Sequence, residues 1–547
     1  MDSASSPTRG TSSTTRGTSS EFNAAEYLVT ERCTSGYGDR IAVLASETLT
    51  YAELDERVAI VAAGLRSLGL RRDDRVMLVM SDEIPMLTGI LGAFRAGLVA
   101  VPVSTMFNGA ELGKIMADSG ARAVLVTSEF TGAVGTAIDA SPDVEHAVLA
   151  GEGTIAVPER VTSHTWQDLV ALGTEADVAL RETAPTNDDA WALWLYTSGT
   201  TGLPKAAMHR HANIRHVCET YGAKVLGTTP DDTTFSIAKM FFAYGIGNTV
   251  FFPFSVGATT VLEPRRPTTD VVRERLGQDR PTLFFGVPTF YAALVASDLP
   301  DDVFSSVRMC ASAGEPLPAP LQKRFTDRFG VEILDGIGST EALHIFLSNR
   351  PGEIRPGTTG VPVPGYDVEV RDAAGNVVPD DEPGALHVRG ESIALGYWHR
   401  TEASRQVFQG EWLSTGDTYV RNHEGYYTCL GRNSDMLKAG GIWVSPAEVE
   451  SRLLEHPSVR EAAVVGVADA DGLDKPVAVV VVADGTDEDA LVAWCRDGLA
   501  HFKAPRKVLF VRDLPKTATD KLQRFKVRDL VATSPQPDRE SELEVAP

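Results

Sequence analysis

Short, wholly apolar runs alternate with helix-period segments along this chain, and that alternation restricts the fold more than any single motif. DRVMLVM (74–80), ARAVLVTS (121–128) and PTLFFGVP (281–288) have strand length and bounding turn residues, and they lack the polar alternation of a half-solvated strand. Between such runs lie segments of another period. Thr50 and Glu53 have capping-box spacing, and Leu54, Val58, Val61, Leu65 and Leu68 follow at helical intervals, which predicts an amphipathic helix. Strands buried on both faces need covering layers, so the first three quarters of the chain read as an α/β architecture with largely parallel sheets.

After about Gly431 the pattern becomes more compact. A helix around EVESRLLEH, strands AAVVGVA and KPVAVVVVA, a helix near EDALVAWCRDGLA and a strand KVLFV suffice for a small α+β domain of about 100 residues. The first 20 residues contain the near-repeat RGTSS and almost nothing to bury, and the C-terminal TSPQPDRESELEVAP is an acidic, proline-containing tail. The expected organisation is a disordered tail over 1–22, a large α/β domain of stacked mixed sheets with flanking helices over 23–431, a small mobile α+β domain over 432–531, and a disordered acidic tail over 532–547.

Charge and composition exclude several functions. The 547 residues carry 51 basic and 74 acidic side chains, a formal net charge of −23, which argues against a nucleic-acid surface. No apolar run approaches the roughly 20 residues needed to cross a bilayer, and the N-terminus has no apolar signal segment, so neither membrane insertion nor secretion is expected. Cys33, Cys218, Cys310, Cys429 and Cys495 lie far apart with no paired ligand spacing, which fits a reducing cytoplasm better than a disulfide framework or a zinc site.

Chemistry concentrates first in YTSGTTGLPK (196–205), which follows the buried-strand pattern WALWLY. Two glycines, four serine and threonine hydroxyls and a closing lysine suit a loop whose backbone amides approach an anion. The spacing is not that of a P-loop, and a flexible surface turn is the competing reading. Two further strand-to-turn junctions carry small residues, SAGE (312–315) after SVRMCA and DGIGSTE (335–341) after VEIL. The threonine and carboxylate that end the second suit phosphate contact and Mg²⁺ coordination, although a carboxylate such as Glu341 taken alone is more often a solvated turn residue. Asp417 in EWLSTGD is placed to accept hydrogen bonds from ribose hydroxyls or to form an Asx turn. Arg432 is the second residue of GRNSDMLKAGG, and Lys521 stands in LPKTATDKLQRFKVRD, where a lone lysine is ordinarily surface charge.

Taken together, YTSGTTGLPK, SAGE, DGIGSTE, STGD, GRNSDMLKAGG and PKTATDK occur in this order across more than 300 residues and resemble the acyl-adenylate-forming superfamily of acyl-CoA synthetases, peptide-synthetase adenylation domains and luciferases. The resemblance spans the folded chain. At KMFFAYGIGN (239–248) and STEALHIFLSNRPGEIRPGTTGVPVPGY (339–366) it narrows to benzoate-CoA ligases and related aryl-CoA ligases.

The resemblance implies ATP bound between a large N-terminal region and a mobile C-terminal domain, with Mg²⁺ and CoA as further requirements and a small-molecule aromatic acid as partner. A homodimer is compatible with it. By the same resemblance, the loop with Thr197, Ser198, Gly199, Thr200, Thr201 and Lys205 would hold the β- and γ-phosphates. Gly314, Glu315, Pro316, Asp335, Gly336 and Ile337 would line the adenine. Thr340 would contact the α-phosphate, Glu341 the Mg²⁺, and Asp417 and Arg432 the ribose, while Lys521 would bridge carboxylate and phosphate. Ala243, Tyr244, Leu343, His344 and Ile345 match positions that hold the ring, although FFAYGIGNTVFFPF also reads as plain core.

Two residues depart from the family pattern. Ser434 stands in GRNSD where Asp or Lys is usual, and Asp520 replaces the glycine before Lys521. Both lie in the part expected to move, so an acceptor other than CoA is the alternative: an amine, a carrier thiol, or nitrite activated for attack by an arylamine. Gly440 and Gly441 keep the small residues that border the pantetheine path by resemblance, which favours CoA.

Overall fold

A computed structural model of the chain describes residues 21–197, 204–432, 437–439, 442–468, 474–483, 485–501, 503–516 and 522–533. Both terminal tails beyond these limits, together with Ser198, Gly199, Thr200, Thr201, Ser434, Gly440, Gly441, Asp520 and Lys521, lie outside the described residues.

Two large sheets dominate the N-terminal part. The first has seven strands, ordered Thr162–Thr165, His146–Ala150, Ala123–Thr127, Arg75–Val79, Val99–Pro102, Trp191–Thr197 and Lys205–Arg210, with every neighbouring pair parallel except the last. In the second, nine strands run from Val361–Pro362 through Ile333–Gly338, Met309–Ser312, Leu283–Gly286 and Thr233–Ser236 to Thr48–Thr50, parallel in the middle and antiparallel at both ends. The chain also builds a wholly antiparallel five-stranded sheet between Asp367 and Arg432, which strand–helix alternation did not predict.

Helices fill the space between the two large sheets. Ile84–Ala96 is buried except at Pro85 and Arg95, and its apolar side chains share one core with Leu78 and Leu125 of the first sheet and Leu283 and Leu334 of the second. Tyr51–Ser67 starts with the predicted capping box, Thr50 accepting from the Glu53 amide and Glu53 from that of Thr50. Its neighbour Trp166–Glu175 comes so close that only glycine fits at the crossing. A Cβ on Gly173 would stand 1.9 Å from the Ile60 carbonyl oxygen, and one on Gly64 would stand 2.4 Å from that of Leu169.

Beyond the five-stranded sheet, Val459–Ala468 and Asp474–Val482 pair antiparallel and Lys507–Phe510 adds in parallel. Helices Pro446–Leu454, Glu488–Gly498 and Arg524–Thr533 cover this sheet and bury two apolar clusters of their own. The fold is thus a large α/β domain of mixed sheets with a smaller C-terminal domain.

The first described segment is fastened by polar contacts. Asn23 Nδ2 donates to the Phe94 carbonyl at 2.7 Å, and the Ala24 amide donates to His211 Nδ1 at 3.0 Å. His211 is fully buried, and burial pushes its pKa down to about 3.

Gly173→Ala should lower the urea midpoint, because overpacking at a fixed backbone costs about 1–3 kcal/mol, whereas Gly132→Ala, with open space around its Cβ position, should not. Equal midpoints would refute the close crossing. His211 takes up a proton in the unfolded chain near its ordinary pKa but not in the folded chain until about pH 3, so its contribution is present at neutral pH and lost as pH falls through the ordinary imidazole range. His211→Gln keeps an acceptor without titrating, and its stability should therefore decline less steeply than that of the parent chain between pH 7 and 4.

Candidate active site

The strands on either side of the glycine-rich stretch pair with each other. Trp191–Thr197 pairs antiparallel with Lys205–Arg210, and Thr197 stands opposite Lys205, so the two described ends of the loop are fixed as cross-strand neighbours. A return strand follows where nucleotide-binding folds often place a helix. Residues 395–398 line the free edge of this return strand, with the Leu395 amide donating to Met208 (2.9 Å), Met208 to Gly396 (3.1 Å) and Trp398 to Ala206 (3.0 Å). That pairing brings Tyr397 under the lysine. Lys205 Nζ lies 5.3 Å from the Tyr397 ring centroid, within cation–π range.

The same tyrosine reaches the acidic turn. After Ile333–Gly338 the chain makes a 3₁₀ turn over Thr340–Ala342, capped by the Ser339 hydroxyl, which accepts from the Ala342 amide at 3.2 Å. Tyr397 Oη donates to Glu341 Oε1 at 2.6 Å, and the Ala394 amide donates to the Glu341 carbonyl at 2.8 Å. Burial and the Glu341 charge both push the Tyr397 pKa up, so its hydroxyl stays a donor.

A buried imidazole joins hairpin and turn. His209 Nε2 donates to the Thr340 carbonyl at 2.8 Å while Asn213 Nδ2 donates to His209 Nδ1 at 3.0 Å. This pattern requires the neutral Nε2–H tautomer, and burial supplies it by lowering the pKa to about 4. Asn213 Nδ2 also donates to the Ser392 carbonyl at 2.8 Å, which ties the segment preceding Tyr397 to the same hub.

Beyond Glu341 the backbone is strained. Leu343 is buried with φ +66°, a conformation that bulky residues avoid, and the turn it makes aims His344 inward. The His344 ring lies among those of Tyr221, Tyr244 and Phe252, at centroid distances of 5.3, 5.5 and 4.6 Å. Gly247 makes room for it, since a Cβ there would stand 2.3 Å from His344 Cδ2. Tyr244 and Ala243 open a short helix, Ala243–Ile246, that continues into the widened turn Gly247–Phe251. The Tyr244 hydroxyl donates to the Ala311 carbonyl at 3.0 Å, so its ring rather than its proton faces the other aromatics. Ile345 begins the strand Ile345–Ser348 that carries this wall.

On adjacent parallel strands Ser312 pairs in register with Asp335. Asp335 is buried, its Oδ1 has no hydrogen-bond partner, and burial holds the carboxyl well above the usual range. Gly336 and Ile337 continue its strand, whereas Gly314, Glu315 and Pro316 lie in the turn after Met309–Ser312, with Gly314 at φ +95°. Asp417 and Arg432, 15 positions apart in sequence, are direct cross-strand partners. Arg432 Nη1 lies 3.2 Å from Asp417 Oδ1 and donates to the Thr415 carbonyl at 3.0 Å. The guanidinium is also near enough to favour ionisation of the Tyr397 hydroxyl.

The structure therefore gathers Lys205, Thr340, Glu341 and the His344 wall around one hairpin and one turn, with Arg432 close by. Four contributors were not singled out from sequence. His209 stands on the strand side and Asn213 on the helix side of one strand-to-helix junction, and Tyr397 sits in the turn-rich SIALGYW. Asp82, in the SDE turn after a buried strand, accepts the Met240 amide at both carboxylate oxygens (3.1 and 3.3 Å) and so anchors the segment leading to Tyr244. A buried aspartate placed at a strand end was its only local sign, and burial pushes its pKa up to about 6.

The chain is 43% identical over 522 residues to a benzoate–CoA ligase of Thauera aromatica, covering 93% of this chain and 96% of that one. Its fold matches a benzoate CoA ligase from Burkholderia xenovorans LB400 with a TM-score of 0.84 at 43% identity, covering 93% of this chain and all of the other. An anthranilate CoA ligase in complex with anthranoyl-AMP matches with a TM-score of 0.87 at 38% identity, over 94% and 98% of the two chains. Residues 30–398 match the AMP-binding enzyme family and residues 448–521 the AMP-binding enzyme C-terminal domain, so the chain belongs to the AMP-binding enzyme family.

Proposed function

We propose that the protein activates an aromatic carboxylate with ATP and passes the acyl group to CoA, releasing pyrophosphate and then AMP. The observation that carries this reading is the meeting of Lys205, Tyr397 and Glu341 beside a turn whose next residues build an aromatic wall. Charged groups for a nucleotide and flat groups for a ring thus adjoin on one short segment.

In the first step a carboxylate oxygen bonds to the α-phosphorus and the bond to pyrophosphate breaks. The nucleophile is already ionised, so no general base is needed; the demand is for cations and donors that offset anion–anion repulsion and the charge of the transition state. Lys205 supports this role at the mouth of the hairpin, with Thr197, Ser198, Gly199, Thr200 and Thr201 assigned to the β- and γ-phosphates on their motif. Thr340 is assigned to the α-phosphate, with its carbonyl fixed by His209. Gly314, Glu315, Pro316, Asp335, Gly336 and Ile337 take the adenine, and the orphaned Asp335 Oδ1 fits a polar base. Asp417 and Arg432 take the ribose. Lys521 is assigned to the bridge between carboxylate and α-phosphate.

Glu341 fits Mg²⁺. It offers a hard, partly exposed oxygen donor anchored by Tyr397, and among the described residues no cluster of three His, Cys, Asp or Glu could hold a metal alone. A solitary carboxylate suits an ion that takes its other ligands from phosphates and water, and bound Mg²⁺ would neutralise phosphate charge.

In the second step the CoA sulfur bonds to the acyl carbon, its proton is released, and AMP leaves. Ala243, Tyr244, Leu343, His344 and Ile345 hold the ring through both steps. The small C-terminal domain, from about Arg432 onward, moves between them. No helix among the described residues is long and apolar enough to cross a membrane. The five free cysteines support a reducing compartment such as the cytoplasm, and assembly as a homodimer belongs to the same reading.

The deciding experiment supplies MgATP and a panel of benzoates and cinnamates, with and without CoA, and identifies products by mass. An aryl-CoA thioester formed with AMP is the expected result; turnover that ignores CoA, or needs an amine or nitrite, would overturn the acceptor. In the same assay Lys521→Ala should lose adenylation yet still convert a supplied aryl-adenylate, and equal loss in both steps would refute its role. Gly247→Ala should push the His344 ring into the acid site, raising KM for the acid at least tenfold while KM for MgATP moves little.

A further inference from the structure

A carboxylate at the end of one helix holds two chain segments together behind the hairpin. The helix Gly109–Ser119 opens on a capping box, Asn108 with Glu111, and buries Leu112, Ile115 and Met116 against the first sheet. Asp118 stands in its last turn with a side chain 17% exposed. Its Oδ2 accepts from the Tyr196 hydroxyl at 2.9 Å, its Oδ1 from Arg400 Nη2 at 2.7 Å, and its backbone carbonyl from Trp398 Nε1 at 3.0 Å. The Ile115 carbonyl lies farther from the same tyrosine oxygen, at 3.4 Å. Burial and the Asp118 charge both push the Tyr196 pKa up, so that hydroxyl stays a donor.

The three donors come from the two segments that flank the return strand. Tyr196 pairs across the hairpin with Ala206, and on the other side the Trp398 amide donates to the Ala206 carbonyl. Side chains alternate along paired strands, so Tyr196, Ala206 and Trp398 share one apolar cluster while Thr197, Lys205 and Tyr397 belong to the opposite face. Trp398 is itself held by the Trp194 ring at 4.7 Å and the Arg75 guanidinium at 5.9 Å. Arg75 in turn donates to the Ser119 and Gly120 carbonyls at the end of the same helix. The back of the hairpin is thus braced on one helix end, and its front carries Lys205 above Tyr397, which holds Glu341.

We infer that Asp118 is a positioning residue for MgATP: by clamping Tyr196 to the Trp398–Arg400 segment it fixes Lys205 relative to the Tyr397–Glu341 pair on the other face of the sheet. This rests on the ATP-dependent activation proposed above and adds to it a residue outside the site. The carboxylate accepts at both oxygens, one for each flanking segment, so its loss frees both at once. The aromatic wall is carried by a different strand, Ile345–Ser348, and the clamp therefore bears on the nucleotide and not on the acid.

The test sets the dissociation constant of MgATP, measured by titration calorimetry without acid, beside KM for MgATP and KM for the best acid of the panel above. Asp118→Ala should weaken MgATP binding about tenfold and raise its KM alike, while KM for the acid stays within about twofold. Tyr196→Phe removes one oxygen, keeps the ring and should show the same split at about threefold. Because both changes act through one carboxylate, adding Tyr196→Phe to Asp118→Ala should raise KM for MgATP no further. A lowered melting temperature with unchanged MgATP binding, equal rises in KM for both substrates, or additive effects in the double variant would overturn the inference and leave ATP-dependent activation standing. Should Asp118→Ala fail to fold, the split in Tyr196→Phe decides by itself. A parent chain that binds no MgATP and releases no AMP with any acid would overturn both.

Discussion

The hydrogen bond from His209 to the Thr340 carbonyl is the joint on which the site depends. It links two sheets at the point where the candidate site groups lie, Lys205 on the hairpin and Glu341 in the turn. A neutral donor suits the task, since it fixes the backbone without adding charge beside a carboxylate. Low dielectric strengthens the bond and penalises its loss, so burial acts twice here, setting the tautomer and stiffening the contact. Asn213 completes the arrangement by holding the imidazole and the approach to Tyr397 with one amide group.

Local chemistry was legible in the sequence; long-range pairing was not. The Tyr51–Ser67 helix, its capping box and the strands Arg75–Val79, Ala123–Thr127 and Leu283–Gly286 appear where apolar period and cap residues put them, because each is determined within one window of chain. The motif residues around Thr340 and Lys205 were found for the same reason. By contrast, residues 395–398 attach to a strand almost 190 positions earlier, and nothing within SIALGYW specifies that register. The antiparallel sheet between Asp367 and Arg432 was missed on similar grounds, its pairing being settled by partners rather than by composition. Asp417 and Arg432 were named separately, and only the ladder shows them as neighbours.

Two residues mark the passage between the two parts of the chain, Gly431 and Ser445. Gly431 has φ +120° and open space around its Cβ position, so the glycine is required by backbone conformation and not by crowding. On the far side, Ser445 Oγ donates to the Leu430 carbonyl at 2.6 Å while capping the helix Pro446–Leu454 through the Glu448 amide. One hydroxyl thus orders the start of the smaller domain against the last strand of the larger.

The left-handed Leu343 has a consequence for engineering. A programme that replaces strained non-glycine residues to raise melting temperature would select this position early, because glycine relieves the backbone at once. The same exchange would remove a buried leucine and release the restraint on the His344 ring, so relief of backbone strain is set against core packing and the placement of that ring at a single dihedral angle.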